Sequence, residues 1–206
     1  MTALAPRSRI FAWTLFDFAN TAFSVIIVTV VYSTYFIDHV AGGRRWLWGL
    51  AVSLSMICAA ILSPPLGAAA DSSRNRKKFL FLFTMLCVVC TGLLFFVQEE
   101  MVVAGMLLFI LANIGFEGGL VFYDAFLPDL ASKHTYGRVS GYGFAMGYVG
   151  ALVVLVIVML ILPGGSDPSF FFYVRISFVI AAGFFLLFSL PMFLFVPEPA
   201  QILPKN

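Results

Sequence analysis

Polar side chains interrupt an otherwise apolar stretch at residues 109–129, which reads FILANIGFEGGLVFYDAFLPD. Asn113, Glu117 and Asp124 follow one another at i, i+4 and i+11, which places them on one side of a helix. A carboxylate in the middle of a membrane costs about 2.5–3.5 kcal/mol even on insertion scales that give the lowest values. Ionisable residues in such positions commonly mark the pathway of an ion, a proton or a polar substrate.

A second polar stripe lies near the N-terminus, where Asp17, Asn20, Thr21 and Ser24 recur at i, i+3, i+4 and i+7. At about 1.5 Å per residue, Asp17 and Glu117 lie roughly 10 and 16 Å from the same membrane surface. We therefore expect both acids to face one water-filled cavity, where burial and mutual repulsion favour a proton on one of them. The alternative is a structural network of neutral acids and amides that only holds helices together.

The candidate pathway for substrate and protons combines both stripes with one nearby tyrosine. Asp124 has a second interpretation, because it lies close to the membrane surface and could pair with Arg138 or Lys78. The pathway residues are Asp17, Asn20, Thr21, Asn113, Glu117, Tyr123 and Asp124.

The sequence contains no catalytic or metal-binding motif, and we predict a protein that is not an enzyme and uses neither a metal nor a cofactor. Both histidines, His39 and His134, fall in links between apolar segments. Cys87 and Cys90 have the C-x-x-C spacing of redox and zinc sites. They lie in a lipid-like run without a second ligand pair, and we interpret them as small packing residues.

The composition identifies lipid as the main solvent. Of the 206 residues, 62% are hydrophobic and 11% are charged, and the mean hydropathy is +1.03. A soluble domain of this size carries about 25% charged residues. The chain is therefore predicted to be an integral membrane protein, and the lack of a basic stripe with interleaved aromatics argues against a nucleic-acid partner.

Six apolar segments are long enough to cross a hydrocarbon layer of about 30 Å. The links between them are short, which predicts a single six-helix transmembrane domain over residues 1–206. The predicted spans are 10–37, 46–70, 79–97, 101–127, 139–162 and 170–196.

Basic residues concentrate on one side of these spans, and basic links usually stay in the cytoplasm. Both termini are therefore predicted to face the cytoplasm. The residues that carry this prediction are Arg7, Arg9, Arg74, Arg76, Lys77, Lys78, Lys133, Arg138 and Lys205.

The spans form two triplets, each with a polar first member and an apolar last member. This pattern is typical of the three-plus-three inverted repeats of secondary transporters. The third and sixth spans are rich in Phe and Leu and are expected to face lipid. The fifth contains Gly143-x-x-x-Gly147, which allows close approach of another helix. Trp13, Trp46 and Trp48 are interpreted as anchors at the membrane surface.

The segment GAAADSSRNRKK, residues 67–78, resembles the cytoplasmic signature between the second and third helices of major facilitator transporters. It differs at Ser72, where the signature has a cation, and an ordinary basic loop is the alternative. The resemblance assigns a conformational loop to Gly67, Asp71, Arg74, Arg76, Lys77 and Lys78.

Four longer motifs are LFDFANTAFS (15–24), LSPPLGAAAD (62–71), LANIGFEGGLVFYDAFLPDLA (111–131) and GRVSGYGFAMGYVGA (137–151). Together they resemble the vacuole-effluxer-like branch of the major facilitator superfamily, which has a member tied to autophagy. The resemblance implies a helical transporter whose central cavity opens alternately to each side. For the autophagy-linked fungal member the implied cargo is amino acids that leave a degradative compartment, and for other members of the branch the substrate is largely unassigned. Such transporters usually have twelve spans in two halves, so the chain resembles the N-terminal half.

The sequence therefore predicts a secondary active transporter for a small polar solute, with amino acids as the first candidate and protons as the coupling ion. Its predicted partners are the bilayer, the solute, and a second six-helix half or second copy that completes the cavity. The predicted location is a plasma (inner) membrane or a vacuolar membrane, depending on the host. The alternative is a non-transporting assembly or regulatory subunit whose polar helix faces bind a partner.

Overall fold

Six long helices make up the computed structural model, which describes residues 6–72, 75–165 and 167–198. All six are long and apolar enough to cross a membrane, and the predicted all-α class with six transmembrane helices is confirmed. In chain order they are α1 (Arg7–Val40), α2 (Arg45–Ser72), α3 (Arg76–Leu93), α4 (Val102–Asp124), α5 (Tyr136–Ile161) and α6 (Phe170–Phe195). A short helix, Leu127–Leu130, follows α4.

The contacts between helices repeat with an inverted three-plus-three pattern. α1, the first member of its triplet, packs on α5 and α6, and α4, its counterpart, packs on α2 and α3. The two third members, α3 and α6, pack on each other. Exchanging the two triplets turns the contacts of α1 with α5 and α6 into those of α4 with α2 and α3, and leaves the contact between α3 and α6 unchanged. This is the arrangement of half a major facilitator fold.

The third and sixth spans, which were expected to face lipid, each have a buried face as well as an exposed apolar one. The buried share is 39% for both α3 and α6, against 22% for α2 and 28% for α5. The reason is that the phenylalanines of α3 and α6 pack against aromatic rings of α1 and α4. The ring centroids of Phe18 and Phe184 are 5.1 Å apart, and those of Phe79 and Phe122 are also 5.1 Å apart.

The end of the bundle at which α1 begins and α6 ends, here called the basic end, is held together by Arg76. Its guanidinium forms an ion pair with Asp129 at 3.1 Å and donates hydrogen bonds to the carbonyl oxygens of Ala70 and Ala125. The carboxylate of Glu198, beyond α6, accepts a hydrogen bond of 3.1 Å from the backbone N–H of Lys77. These contacts tie the start of α3 to the ends of α2, α4 and α6.

The predicted conformational loop is described only in part. A Cβ atom built on Gly67 would meet nothing within 4 Å, so this glycine does not serve a close helix contact within the described structure. Arg74 and the side chain of Asp71 lie outside the described residues. Arg76 makes the contacts given above, and the role of the loop in conformational change stays a prediction.

α1 contains two π-helical stretches, Ser24–Val30 and Phe36–Val40, in which hydrogen bonds join residues five apart. Within the first stretch, the Thr29 hydroxyl also donates to the carbonyl oxygen of Ser24, at 2.9 Å. π-helical turns are uncommon and are frequently found at functional sites. The first stretch begins at the last polar residue of the N-terminal stripe.

Candidate functional site: a polar cavity between α1, α4 and α5

A cavity of about 350 Å³ opens between α1, α4 and α5 and contains most of the predicted pathway residues. Its walls combine carboxylates, an amide and hydroxyls with aromatic rings. The lining residues are Trp13, Asp17, Asn20, Thr21, Ser24, Phe116, Leu120, Tyr123, Asp124, Ser140, Phe144, Gly147 and Tyr148.

The polar stripe of α1 faces the glycines of α5. A Cβ atom on Gly143 would collide with the carboxylate of Asp17, and one on Gly147 would lie 2.8 Å from Thr21 Oγ1. Further along, a Cβ on Gly150 would collide with the carbonyl oxygen of Phe18. The predicted close approach at the fifth span is therefore present, and it brings the backbone of α5 against the acid of α1.

Trp13 and Tyr123 join α1 to α4 at the basic end of the cavity. Their rings stack with centroids 4.5 Å apart and an interplanar angle of 6°. Trp13 Nε1 donates to the carbonyl oxygen of Tyr123 at 3.3 Å, and the Tyr123 hydroxyl donates to the carbonyl oxygen of Trp13 at 3.2 Å. Trp13 is 2% exposed, so its interpretation as a surface anchor is wrong.

Two carboxylates, Asp17 and Asp124, line the cavity. Asp17 is partly buried and has Tyr123, Asn20 and Asp124 as electrostatic or hydrogen-bonding neighbours. Asp124 is exposed. The ion pair with Arg138 or Lys78 that Asp124 was expected to form is absent from the described structure, in which Arg76–Asp129 is the ion pair present. Since the residues that line the cavity include no Lys, Arg or His, it is a site of negative potential.

Asn20 supplies a buried amide beside Asp17. It is 4% exposed, and its Nδ2 atom has no hydrogen-bond partner of ordinary geometry among the described residues. Its Oδ1 atom accepts from the Thr21 hydroxyl at 3.3 Å. The Asp17 carboxylate is the nearby acceptor for this amide nitrogen, so Asn20 helps to fix the position of the acid.

Glu117 and Asn113 do not line this cavity, and the expected pair of Asp17 and Glu117 does not form there. Glu117 is partly buried and makes no hydrogen bond or ion pair within the described part of the chain. Asn113 lies in the contact between α4 and α2, where its Nδ2 atom donates to Ser55 Oγ at 3.0 Å. The interpretation of Asn113 as a residue that holds helices together therefore has direct geometric support.

Several cavity residues were missed by sequence reasoning. Phe116 and Leu120 look like ordinary apolar residues of α4, and Phe144 and Tyr148 look like lipid-facing residues of α5. The glycine spacing on α5 could have indicated Phe144 and Tyr148. Gly143 and Gly147 mark a close contact with another helix, and the residues that directly follow them lie next to any cavity beside that contact. Ser140 lies one turn before this contact, on the same helix.

The cavity can bind a small polar solute that carries a positive charge. Asp17 and Asp124 provide acceptors for an ammonium group, and the Asn20 amide and the hydroxyls provide neutral donors and acceptors. Phe116, Phe144 and Tyr148 provide apolar and aromatic surface. Small-molecule sites commonly combine a few polar groups with such walls, and their volumes are about 300–1,000 Å³.

Comparison with known proteins gives matches to one family of membrane transporters. Residues 48–205 match the family described as "Vacuole effluxer Atg22 like". The chain is 32% identical over 192 residues to the "Uncharacterized MFS-type transporter YxiO" of Bacillus subtilis, covering 88% of this chain and 45% of that protein. It is 23% identical over 211 residues to "Autophagy-related protein 22" of Yarrowia lipolytica, covering 74% and 35% of the two chains.

An "Uncharacterized protein" of Aquifex aeolicus is 27% identical over 184 residues, which cover 88% of this chain and 46% of that protein. The chain thus spans about half the length, or less, of these relatives. No solved structure gives a significant match.

Proposed function

Because the chain belongs to the Atg22-like vacuole effluxer family, we propose that it forms the N-terminal half of a proton-coupled transporter for amino acids or similar ammonium-bearing solutes. The observation that carries this proposal is the cavity between α1, α4 and α5, where two carboxylates and the Asn20 amide line a space large enough for a small solute. Family membership supports transport, and the chemistry of the cavity supports the class of solute.

Asp17 is the residue to which we assign the proton. It is the only acid of α1 that lines the cavity, and it is more buried than Asp124. A bound ammonium group and a proton then compete for the same carboxylate, because either one neutralises it. Competition of this kind couples the movement of the solute to the movement of protons in the opposite direction.

The second wall of the cavity is the other element of the proposal. Phe144 and Tyr148 line the cavity and are 69% and 73% exposed. Exposed aromatic rings of a membrane protein commonly face lipid, but these two border polar groups that hydrocarbon cannot solvate, which favours another membrane segment as their cover. We propose that a second six-helix half, or a second copy, covers these rings and completes the site, with the basic end facing the cytoplasm.

The test is transport in membrane vesicles from cells that make the protein from its own gene, so that whatever completes the transporter is present. Uptake and efflux of a labelled amino-acid mixture are measured with and without an imposed pH gradient. We expect Asp17→Asn to abolish transport driven by the pH gradient and also to weaken exchange of solute for solute, because the carboxylate that takes the proton also binds the ammonium group. Unchanged pH-driven transport in this variant would show that Asp17 does not carry the coupled proton.

Glu117→Gln is the matched control, because it makes the same acid-to-amide change in a membrane span outside the cavity. We expect it to retain most of the pH-driven transport at equal protein level, measured by immunoblot. Equal losses in both variants would mean that Glu117 shares the pathway, as its stripe on α4 first indicated. No transport by the unaltered protein, with the chain still bound to a partner membrane protein, would favour a non-transporting subunit instead.

A further inference from the structure

A second cavity, of about 600 Å³, lies between the starts of α1 and α5 and shares no lining residue with the polar cavity. We call it the arginine groove. Two arginines and a threonine line it near the ends of the helices, and apolar side chains line it deeper in the bundle. The residues that matter for its chemistry are Arg7, Phe11, Thr135, Arg138, Val139 and Met146.

The groove lies beside the close contact between α1 and α5, on the side of α5 that carries Arg138, Tyr142 and Met146. From Gly143 onward the glycines of α5 lie directly against α1. The same helix pair therefore makes a tight contact through these glycines and leaves an open wedge beside it, towards the basic end.

The mouth of the groove is positively charged without compensation. Arg7 is the first residue of α1, and Arg138 lies in the first turn of α5. Both are exposed, neither forms an ion pair with any described residue, and no Asp or Glu lines the groove. Two such cations side by side repel each other, so an anion placed between them would be stabilised.

The backbone adds to this potential. α1 and α5 both begin at the groove, and neither Pro6 nor Thr135 caps its helix with a side-chain hydrogen bond. The N–H groups of the first turn of a helix carry partial positive charge and bind anions readily. Helix termini alone do not make a site, but here they lie beside two arginines and above an apolar wedge.

The apolar walls identify the kind of anion. Phe11 is 57% exposed and faces the groove together with Val139 and Met146. A free phosphate or a soluble metabolite would gain nothing from these side chains. A phospholipid would place its phosphate between the arginines and an acyl chain along the apolar walls, which matches both parts of the groove.

We propose that the arginine groove binds an anionic phospholipid of the leaflet at the basic end, with Arg7 and Arg138 on the phosphate. The groove lies across the α1–α5 contact from the polar cavity, so the lipid fills a wedge beside the glycines that hold Asp17 in place. This proposal does not depend on the identity of the transported solute.

The test measures lipid binding by the purified chain. Retention of phosphatidylglycerol is measured by native mass spectrometry, and thermal unfolding in detergent is followed while phosphatidylglycerol, phosphatidylcholine or inorganic phosphate is added. We expect phosphatidylglycerol alone to be retained and to raise the unfolding temperature. We expect the double variant R7Q/R138Q to bind it at least about tenfold more weakly, since each basic residue at a membrane surface contributes about 1 kcal/mol.

The control variant is R9Q/K133Q, which removes the same charge from basic residues on the same side of the bundle that do not line the groove. It should bind phosphatidylglycerol like the unaltered chain, and R7K/R138K should recover most of the binding. Equal weakening in both double glutamine variants would overturn the proposal in favour of general surface charge. Protection by inorganic phosphate alone would overturn it in favour of a simple anion site, and binding unchanged in R7Q/R138Q would also overturn it.

Discussion

α1 and α4 are counterparts in the two triplets, and each packs on the second and third helices of the other triplet. The closest contact of α1 is with a second helix, α5, whereas the closest contact of α4 is with a third helix, α3. α1 is approached most closely by α5, through Gly143, Gly147 and Gly150. α4 is approached most closely by α3, where Gly115 and Gly118 of α4 itself face the backbone and ring of Phe83. The arrangement of helices repeats, whereas the chemistry of the contacts does not.

The difference shows what a close glycine contact does to its surroundings. On α1 the contact runs past a polar stripe, so it leaves a polar cavity on one side and the arginine groove on the other. On α4 the contact runs past Phe79, Phe122 and Cys87, all of which fill the space beside it. Glycines therefore mark where backbones meet, and the neighbouring side chains decide whether a site forms.

The strongest way to break this comparison is Gly150→Ala, which places a methyl group on the carbonyl oxygen of Phe18. Backbone cannot move aside as a flexible side chain can, so we expect a loss of roughly 1–3 kcal/mol or more in the free energy of unfolding. Thermal unfolding in detergent and the yield of monodisperse protein measure it. Gly141→Ala, on the same helix with nothing within 4 Å, is the control and should be neutral or slightly stabilising.

A second variant, Gly115→Ala, tests the corresponding contact of α4. The added Cβ would lie 2.6 Å from the backbone nitrogen of Cys87, so we expect a loss of about 1–2 kcal/mol, measured by the same unfolding assay. Gly119→Ala, where the nearest atom is 3.7 Å away, serves as its control. Because this contact borders neither cavity, the residual folded protein should transport normally, and altered solute selectivity would contradict the distinction drawn here.

The smallest effect is expected where α4 meets α2. Asn113→Ala removes the hydrogen bond to Ser55 Oγ, and polar contacts between membrane helices contribute about 0.6 kcal/mol on average. Ser55→Ala should cost a similar amount, and the double variant should cost less than the sum of the two, which a double-mutant cycle measures. A complete loss of transport in Asn113→Ala, with the free energy of unfolding unchanged, would show that Asn113 belongs to the solute pathway as first predicted.

Much of the fold could be predicted from the sequence because a bilayer imposes simple rules. Six apolar segments of sufficient length indicate six spans, and the repeated order of polar and apolar spans indicated the triplets. The assignment of α3 and α6 to lipid missed their buried faces, because apolar composition is the same for a helix face against lipid and one against aromatic rings. Burial depends on which partner is near, and a single helix does not contain that information.

The site was predicted in part for a related reason. A stripe on a helix fixes a direction around the axis but not which neighbour lies there at each depth. On α4, Asp124 reaches the cavity, whereas Asn113, on the same stripe, meets α2. The stripe on α1 predicted better, because Asp17, Asn20 and Thr21 lie within little more than one turn and share a single environment.

The π-helical stretch Ser24–Val30 gives α1 a property that a uniform helix lacks. Its hydrogen bonds can shift from a partner five residues back to one four residues back, and each such step turns everything beyond it about the helix axis. The portion that carries Tyr32 and Tyr35 would then rotate relative to the portion that carries Asp17. In the transporter proposed above, such a shift would reorient one half of α1 relative to the other within a single continuous helix.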